Sequence, residues 1–196
     1  MQSDDGAVIL ESLAEPARFG EIFERHYDAI YAYLARRVGP DSGAELAAET
    51  FSRAFALRQR FRPEPIPNAR PWLFGIATNL LRHHRRNEVR KLRAYARTGV
   101  DPVLDEAPDA ERRADASAAS RELARALAAL RPDERDVLLL FSWADLSYSE
   151  IADALGVELG TVRSRLSRAR ARVRELLDRS GEGVVETPAT VGGNDG

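Results

Sequence analysis

The chain has 196 residues, 44% hydrophobic and 31% charged, a balance that suits one or two small soluble domains better than a disordered or membrane protein. It contains no cysteine, which excludes a disulfide framework, a thiolate metal site and thiol-based sensing within the chain. The net charge of −2 conceals two basic blocks: Arg70 to Arg97 holds eight basic residues against Glu88 alone, and Arg163 to Arg179 holds seven arginines against Glu175 and Asp178. Asp101, Asp105, Glu106, Asp109 and Glu111 lie between them. Two basic surfaces joined by an acidic connector predict two separate contacts with a polyanion. No apolar run approaches membrane-spanning length and the start of the chain is acidic, so a cytoplasmic protein without membrane insertion is expected.

Nearly every periodic segment has helical spacing and strand-like alternation is missing, which predicts an all-α protein of two small helical domains. After an N-terminal segment, 1–17, the first main helix is expected over Phe19 to Val38. Phe19, Ile22, Phe23, Tyr27, Ile30, Tyr31 and Leu34 recur there at helical spacing, and Gly39-Pro40 ends it. A second helix is expected over Gly43 to Phe61. Leu46, Ala47, Thr50, Phe51, Ala54, Phe55, Leu57 and Phe61 cover one half of its wheel, and Glu45, Glu49, Ser52 and Gln59 share the other. In an isolated domain that polar half is solvated; it becomes a docking surface only if a partner exists.

Arg62 to Pro71 carries Pro63, Pro65, Pro67 and Pro71 and reads as a loop. A helix restarts at Trp72 and runs through Leu81 into the basic segment ending near Arg97. If the proline loop folds back on it, Thr78 and Asn79 would line a small polar pocket beside the bases of a bound strand. Trp72 admits a core reading and a reading at the edge of melted DNA, and His83-His84 adds to the basic face or is merely exposed. Gly99 to Ser120 is acidic, contains Pro102 and Pro108 and is expected to be a flexible linker. Helical spacing resumes over Arg121 to Leu130, and Pro132-Asp133-Glu134 starts another helix with acid in its first turn.

From Leu146 to Arg174 the punctuation is that of a helix-turn-helix. Ser147 and Glu150 have capping-box spacing, Ile151, Ala152 and Leu155 give a short apolar face, Gly156 supplies the turn and Val157 plugs the angle. In the second helix Val162, Leu166, Ala169, Val173, Leu176 and Leu177 share one arc; Ser164, Ser167, Arg168 and Ala171 lie opposite, with Arg163 and Arg165 on the flanks. Small hydroxyl residues between arginines allow close approach to a major groove, where arginine bonds a guanine edge or neutralises phosphate. Arg170, Arg172 and Arg174 read as phosphate contacts or solvated charge. The competing reading is a solvated basic helix in a bundle. Gly181 to Gly196, with five glycines and no basic residue, reads as a disordered tail. The only histidines are His26, His83 and His84, and no grouping has the spacing of a metal site or catalytic triad, so neither enzyme activity, metal nor cofactor is expected.

Ala44-Glu45-Leu46-Ala47-Ala48-Glu49-Thr50-Phe51, Pro71-Trp72-Leu73-Phe74-Gly75-Ile76-Ala77-Thr78-Asn79 and Gly160-Thr161-Val162-Arg163-Ser164-Arg165-Leu166 together resemble the motifs of the sigma-70 family, in its small two-domain extracytoplasmic-function group. The resemblance implies sigma region 2 over 18–98, a linker over 99–120, region 4 over 121–179 and a tail over 180–196. It implies that Glu45, Glu49, Ser52 and Gln59 contact core RNA polymerase. Arg62, Asn68, Arg70, Trp72, Asn79, Arg82, Arg85 and Arg86 would contact the minus-ten element and hold a flipped non-template base. Thr161, Arg163, Ser164, Arg165, Ser167 and Arg168 would read the minus-thirty-five element. The implied partners are core polymerase, promoter DNA and an anti-sigma factor. Two departures stand out: Ala48 replaces the family's glutamine, and Glu158 stands where a small capping residue or proline is common. A stand-alone helix-turn-helix regulator would account for the second basic block but leaves Glu45 to Arg97 unexplained.

Overall fold

The computed structural model describes residues 4–62, 68–98 and 110–182. Its helices are α1 (Asp5–Glu11), α2 (Gly20–Val38), α3 (Pro40–Leu57), α4 (Arg70–Leu81), α5 (Arg85–Thr98), α6 (Ala110–Ala129), α7 (Pro132–Ser142), α8 (Tyr148–Leu155) and α9 (Leu159–Glu182), and no strand occurs among the described residues. The all-α expectation holds.

α1 lies inside what reads from sequence as a plain N-terminal segment. Asp4 caps it by accepting from the Gly6 N–H at 3.2 Å, and its Val8 and Ile9 are fully buried. The segment is too short for periodicity to reveal it, because seven residues contain fewer than two full turns. Asp5, at the head of α1, accepts from His26 at 2.8 Å, from Arg25 at 3.0 Å and from the Ala69 N–H at 3.1 Å, tying α1 to α2 and to the start of α4. Burial alone would raise the Asp5 pKa, but the bonds from His26, Ala69 and Arg25 outweigh it and bring it down to about 2.

α2 ends at Gly39, whose φ of 98° is a conformation L side chains rarely adopt, and Pro40 opens α3 in the next residue. The two helices then cross so closely that a Cβ on Gly43 would lie 2.7 Å from the Ala35 Cα. α3 stops at Leu57, four residues before Phe61, and a 3-10 turn over Arg58–Arg60 replaces its last turn. The helix expected from Trp72 to Arg97 divides likewise: α4 starts two residues earlier, on the Arg70-Pro71 pair, and a 3-10 turn over Arg82–His84 separates it from α5. α6 begins at Ala110, so its first eleven residues lie within the segment expected to be linker. Its run Ala114-Asp115-Ala116-Ser117-Ala118-Ala119 is rich in the strongest helix former, which outweighs its low apolar content.

The core is continuous. Ile22, Ile30, Leu34, Leu73, Phe74 and Leu81 from α2 and α4 are buried, as are Val137, Leu140, Ile151, Val162, Leu166 and Ala169 from α7, α8 and α9. Each such Leu or Ile contributes about 1.5–3 kcal/mol by leaving water. α4 packs on α8, so the helix that opens the first basic block meets the first helix of the helix-turn-helix.

Candidate nucleic-acid interface

The helix-turn-helix is built as its punctuation predicts. The Glu150 N–H donates to Ser147 Oγ at 3.3 Å and the Ser147 N–H donates to Glu150 Oε2 at 2.8 Å, closing the capping box at the head of α8. Gly156 ends α8 at φ 63°, and the Val157 N–H reaches the Ala152 carbonyl at 3.0 Å, sealing the helix end in a left-handed cap. Despite Glu158, α9 starts cleanly, because the Thr161 and Val162 N–H groups both donate to the Glu158 carbonyl.

Val162, Leu166 and Ala169 anchor α9 in the core, which leaves Arg163, Ser164, Ser167 and Arg168 exposed and Thr161 and Arg165 half-buried. The six predicted residues therefore sit on the first three turns of one helix. Their chemistry differs. Arg165 pairs with Asp133 at 3.3 Å and Arg168 with Glu134 at 3.1 Å, both acids lying in the first turn of α7, and Ser164 Oγ donates to the Thr161 carbonyl at 3.0 Å. Arg163 and Ser167 instead join Tyr148, Arg170, Ala171 and Arg174 around a surface groove. Tyr148 was not singled out from sequence; its place as the first residue of α8 was the available signal. Arg170 also lies over the Phe141 ring at 4.7 Å.

In the first basic block Asn79, Arg82, Arg85 and Arg86 are exposed, and Arg85, Arg86, Arg90, Arg93 and Arg97 line a shallow basic groove with Val89 on α5. Arg62 is exposed and donates to the Phe61 carbonyl at 3.2 Å. Trp72 is half-buried with its ring 5.0 Å from Phe61, so it belongs partly to the core and partly to the surface. Asn68 and Arg70 are half-buried: the Asn68 carbonyl oxygen accepts from the Arg70 N–H at 2.9 Å, and Arg70 Nη2 donates to the Ala144 carbonyl at 2.5 Å. The expected pocket of Thr78 and Asn79 does not form as such. Thr78 is 1% exposed and bonds the Tyr33 hydroxyl at 3.3 Å, because one turn of helix points successive residues in different directions. Pro63 to Pro67 of the proline loop lie outside the described residues.

On α3, Glu45, Glu49 and Ser52 are exposed at spacings of four and three, forming one face with Ala48 beside them. Arg53 donates to Glu49 at 2.6 Å, partly neutralising it. Gln59 is exposed as well, but in the 3-10 turn beyond the helix end. Among the described residues no group of three or more His, Cys, Asp and Glu could hold a metal ion.

A capped helix-turn-helix with an arginine-bearing second helix, plus a separate basic helix pair, defines a DNA-binding protein with two contact surfaces. The sigma-70 region 2 model matches residues 22–91 and the sigma-70 region 4 model matches residues 120–173. The chain is 31% identical to the ECF RNA polymerase sigma factor SigC of Mycobacterium tuberculosis over 172 residues, 86% of this chain and 90% of the relative. It is 35% identical to the RNA polymerase sigma factor CarQ of Myxococcus xanthus over 161 residues, 81% and 88% of the two chains. The fold is also that of CnrH in its complex with the cytosolic domain of CnrY, with a TM-score of 0.64 at 24% identity over 90% of this chain and 99% of that one. The sigma factor RpoE of Bartonella quintana, solved with the anti-sigma factor NepR, gives 0.58 at 24% identity over 83% and 98%. The chain belongs to the sigma-70 family of RNA polymerase sigma factors, in the extracytoplasmic-function group.

Proposed function

We propose that this chain directs core RNA polymerase to promoters and helps open them, with its contacts divided among three faces. Glu45, Glu49, Ser52 and Gln59 dock on the polymerase. Arg62, Asn68, Arg70, Trp72, Asn79, Arg82, Arg85 and Arg86 hold the melted upstream edge of the minus-ten element, with the α5 arginines tracking its phosphates. Thr161, Arg163, Ser164, Arg165, Ser167 and Arg168 enter the major groove at the minus-thirty-five element, Arg163 as the principal reader of base edges. The working units are 18–98 and 121–179, joined by 99–120. The protein acts in the cytoplasm and performs no bond-making chemistry of its own.

The observation that carries this reading is the pairing, on one chain, of an arginine-bearing recognition helix with an acidic α3 face that DNA would repel. Such a face calls for a protein partner. Weak promoter binding by the free chain follows, since two modules gain affinity together only when a partner fixes their spacing. Solved relatives bound to CnrY and NepR support control of this chain by an anti-sigma factor.

The test is gel filtration with sigma-free bacterial core polymerase, followed by run-off transcription of genomic fragments from the host. Co-elution with new, discrete transcripts supports the reading. Sequence-specific DNA binding by the chain alone, without co-elution, would replace it with an independent regulator.

A further inference from the structure

Asn68 and Arg70, assigned above to the minus-ten element, flank a residue with no polar side chain. Ala69 is fully buried at the head of α4, and its N–H donates at 3.1 Å to Asp5 Oδ2, 64 residues away in the chain. An alanine side chain cannot cap a helix, so this N–H of the α4 terminus is satisfied from α1. The next one, of Arg70, donates to Asn68 Oδ1 at 2.9 Å. A backbone N–H requires an oxygen acceptor, so that bond fixes the Asn68 carboxamide with its Nδ2 donor turned away from the α4 backbone.

Asp5 is held as a fixed reference for this turn. Its side chain is 12% exposed; Oδ2 also accepts from His26 at 2.8 Å, and Oδ1 accepts from Arg25 at 3.0 Å. α1 behind it is anchored along its length: Asp4 caps it, Val8 and Ile9 are fully buried, and the Ser12 carbonyl accepts from Arg58 Nε at 3.4 Å. With a pKa of about 2 the carboxylate is ionised at neutral pH, and its charge complements the positive end of the α4 dipole. It stands where a DNA phosphate would bind a free helix N-terminus, which leaves side chains rather than backbone N–H groups to meet the strand.

On the sigma reading above, we propose that Asp5 is a positioning residue for base recognition at the minus-ten element: from α1 it caps α4 and sets the orientation in which Asn68, Arg70 and Trp72 meet the melted strand. Trp72 shares the first turn of α4 with Arg70, and its ring lies 5.0 Å from Phe61, so a shift at Ala69 is passed to all three. Asp5, Arg25, His26 and Ala69 all belong to the region 2 unit, and the contact draws nothing from the helix-turn-helix. A recognition group acts precisely only when its own support is rigid, which is what the triply bonded carboxylate supplies.

Three variants separate positioning from folding. Asp5→Ala removes the acceptor, Ala69→Pro removes the donor at a φ of −72° that proline adopts, and Val8→Ala loosens α1 without touching the bond. Each is assembled with core polymerase, and abortive transcription is followed on a promoter obtained by run-off transcription. Three copies of that promoter carry the other bases at the upstream edge of the minus-ten element. The parent chain should prefer one base. Asp5→Ala and Ala69→Pro should initiate about tenfold more slowly on that base, as expected when a charge-assisted hydrogen bond is lost, and use the four bases nearly equally. Their co-elution with polymerase and binding to minus-thirty-five duplex should stay at the parental level. Val8→Ala should keep the parental preference even where its thermal midpoint falls as far. Parental preference in Asp5→Ala and Ala69→Pro, or its equal loss in Val8→Ala, overturns the proposal. A parent chain that gives no discrete transcript removes the sigma reading and the proposal with it, an outcome read before any variant is compared.

Discussion

Arg168 of α9 is joined to Glu134 of α7 by a 3.1 Å ion pair, whereas Arg163, less than two turns earlier on the same helix, opens onto a groove with Ser167 and Arg170. The two arginines read alike in sequence and differ in availability. Arg168 must exchange a carboxylate for DNA, and Arg163 need not.

Arg163→Ala should therefore weaken binding of holoenzyme to a minus-thirty-five duplex by about 1–3 kcal/mol, and Arg168→Ala by clearly less. The double variant should abolish dependence on the upstream element. Titration of labelled duplex by anisotropy measures each, and co-elution with polymerase must be unchanged; equal losses from the two single variants would contradict the ranking.

On α3 the opposite pattern is expected. Glu45→Arg with Glu49→Arg reverses the charge of an exposed face, so polymerase co-elution should fail while helicity and minus-thirty-five duplex binding persist. Co-elution at parental level would remove that face from the polymerase contact.

Asp5 makes stability sensitive to acid. Its pKa falls from 3.8 to about 2 on folding, so its contribution is fully present above about pH 4 and is lost as the pH falls toward 2. Asp5→Asn should lower stability at neutral pH by about 1–2 kcal/mol, after allowance for solvent screening, and flatten the loss between pH 4 and 2. Urea unfolding at stepped pH provides the comparison, and parallel curves for parent and variant would exclude the role.

At the helix turn, Gly156 has φ 63° with open space around its missing Cβ. Gly156→Val should thus cost about 1–2 kcal/mol through backbone strain alone. Thermal unfolding should show a lower midpoint, with no effect on polymerase binding; an unchanged midpoint would mean that the turn relaxes.

The helix ends that carry their own capping or turn residues were legible in the sequence. The Ser147–Glu150 box, the Gly156 turn and the Gly39-Pro40 break each depend on residues within one turn of one another, so chain order alone exposes them. The same holds for the arc of Val162, Leu166 and Ala169, and hence for the side of α9 left to solvent. α1 and the first half of α6 escaped notice because neither offers a long apolar stripe.

The amino-acid sequence by itself thus determined the helical class, the helix-turn-helix, the two basic blocks and the family. The tertiary structure alone decided which polar groups those helices spend on one another. Arg37 meets Glu88 and Asp136 across 51 and 99 residues, and Thr78 meets Tyr33 across 45. No periodicity records such pairs. Local rules fix what a segment is because its hydrogen bonds close within a few residues, whereas the pairing of distant charges is chosen only when packing removes water from both.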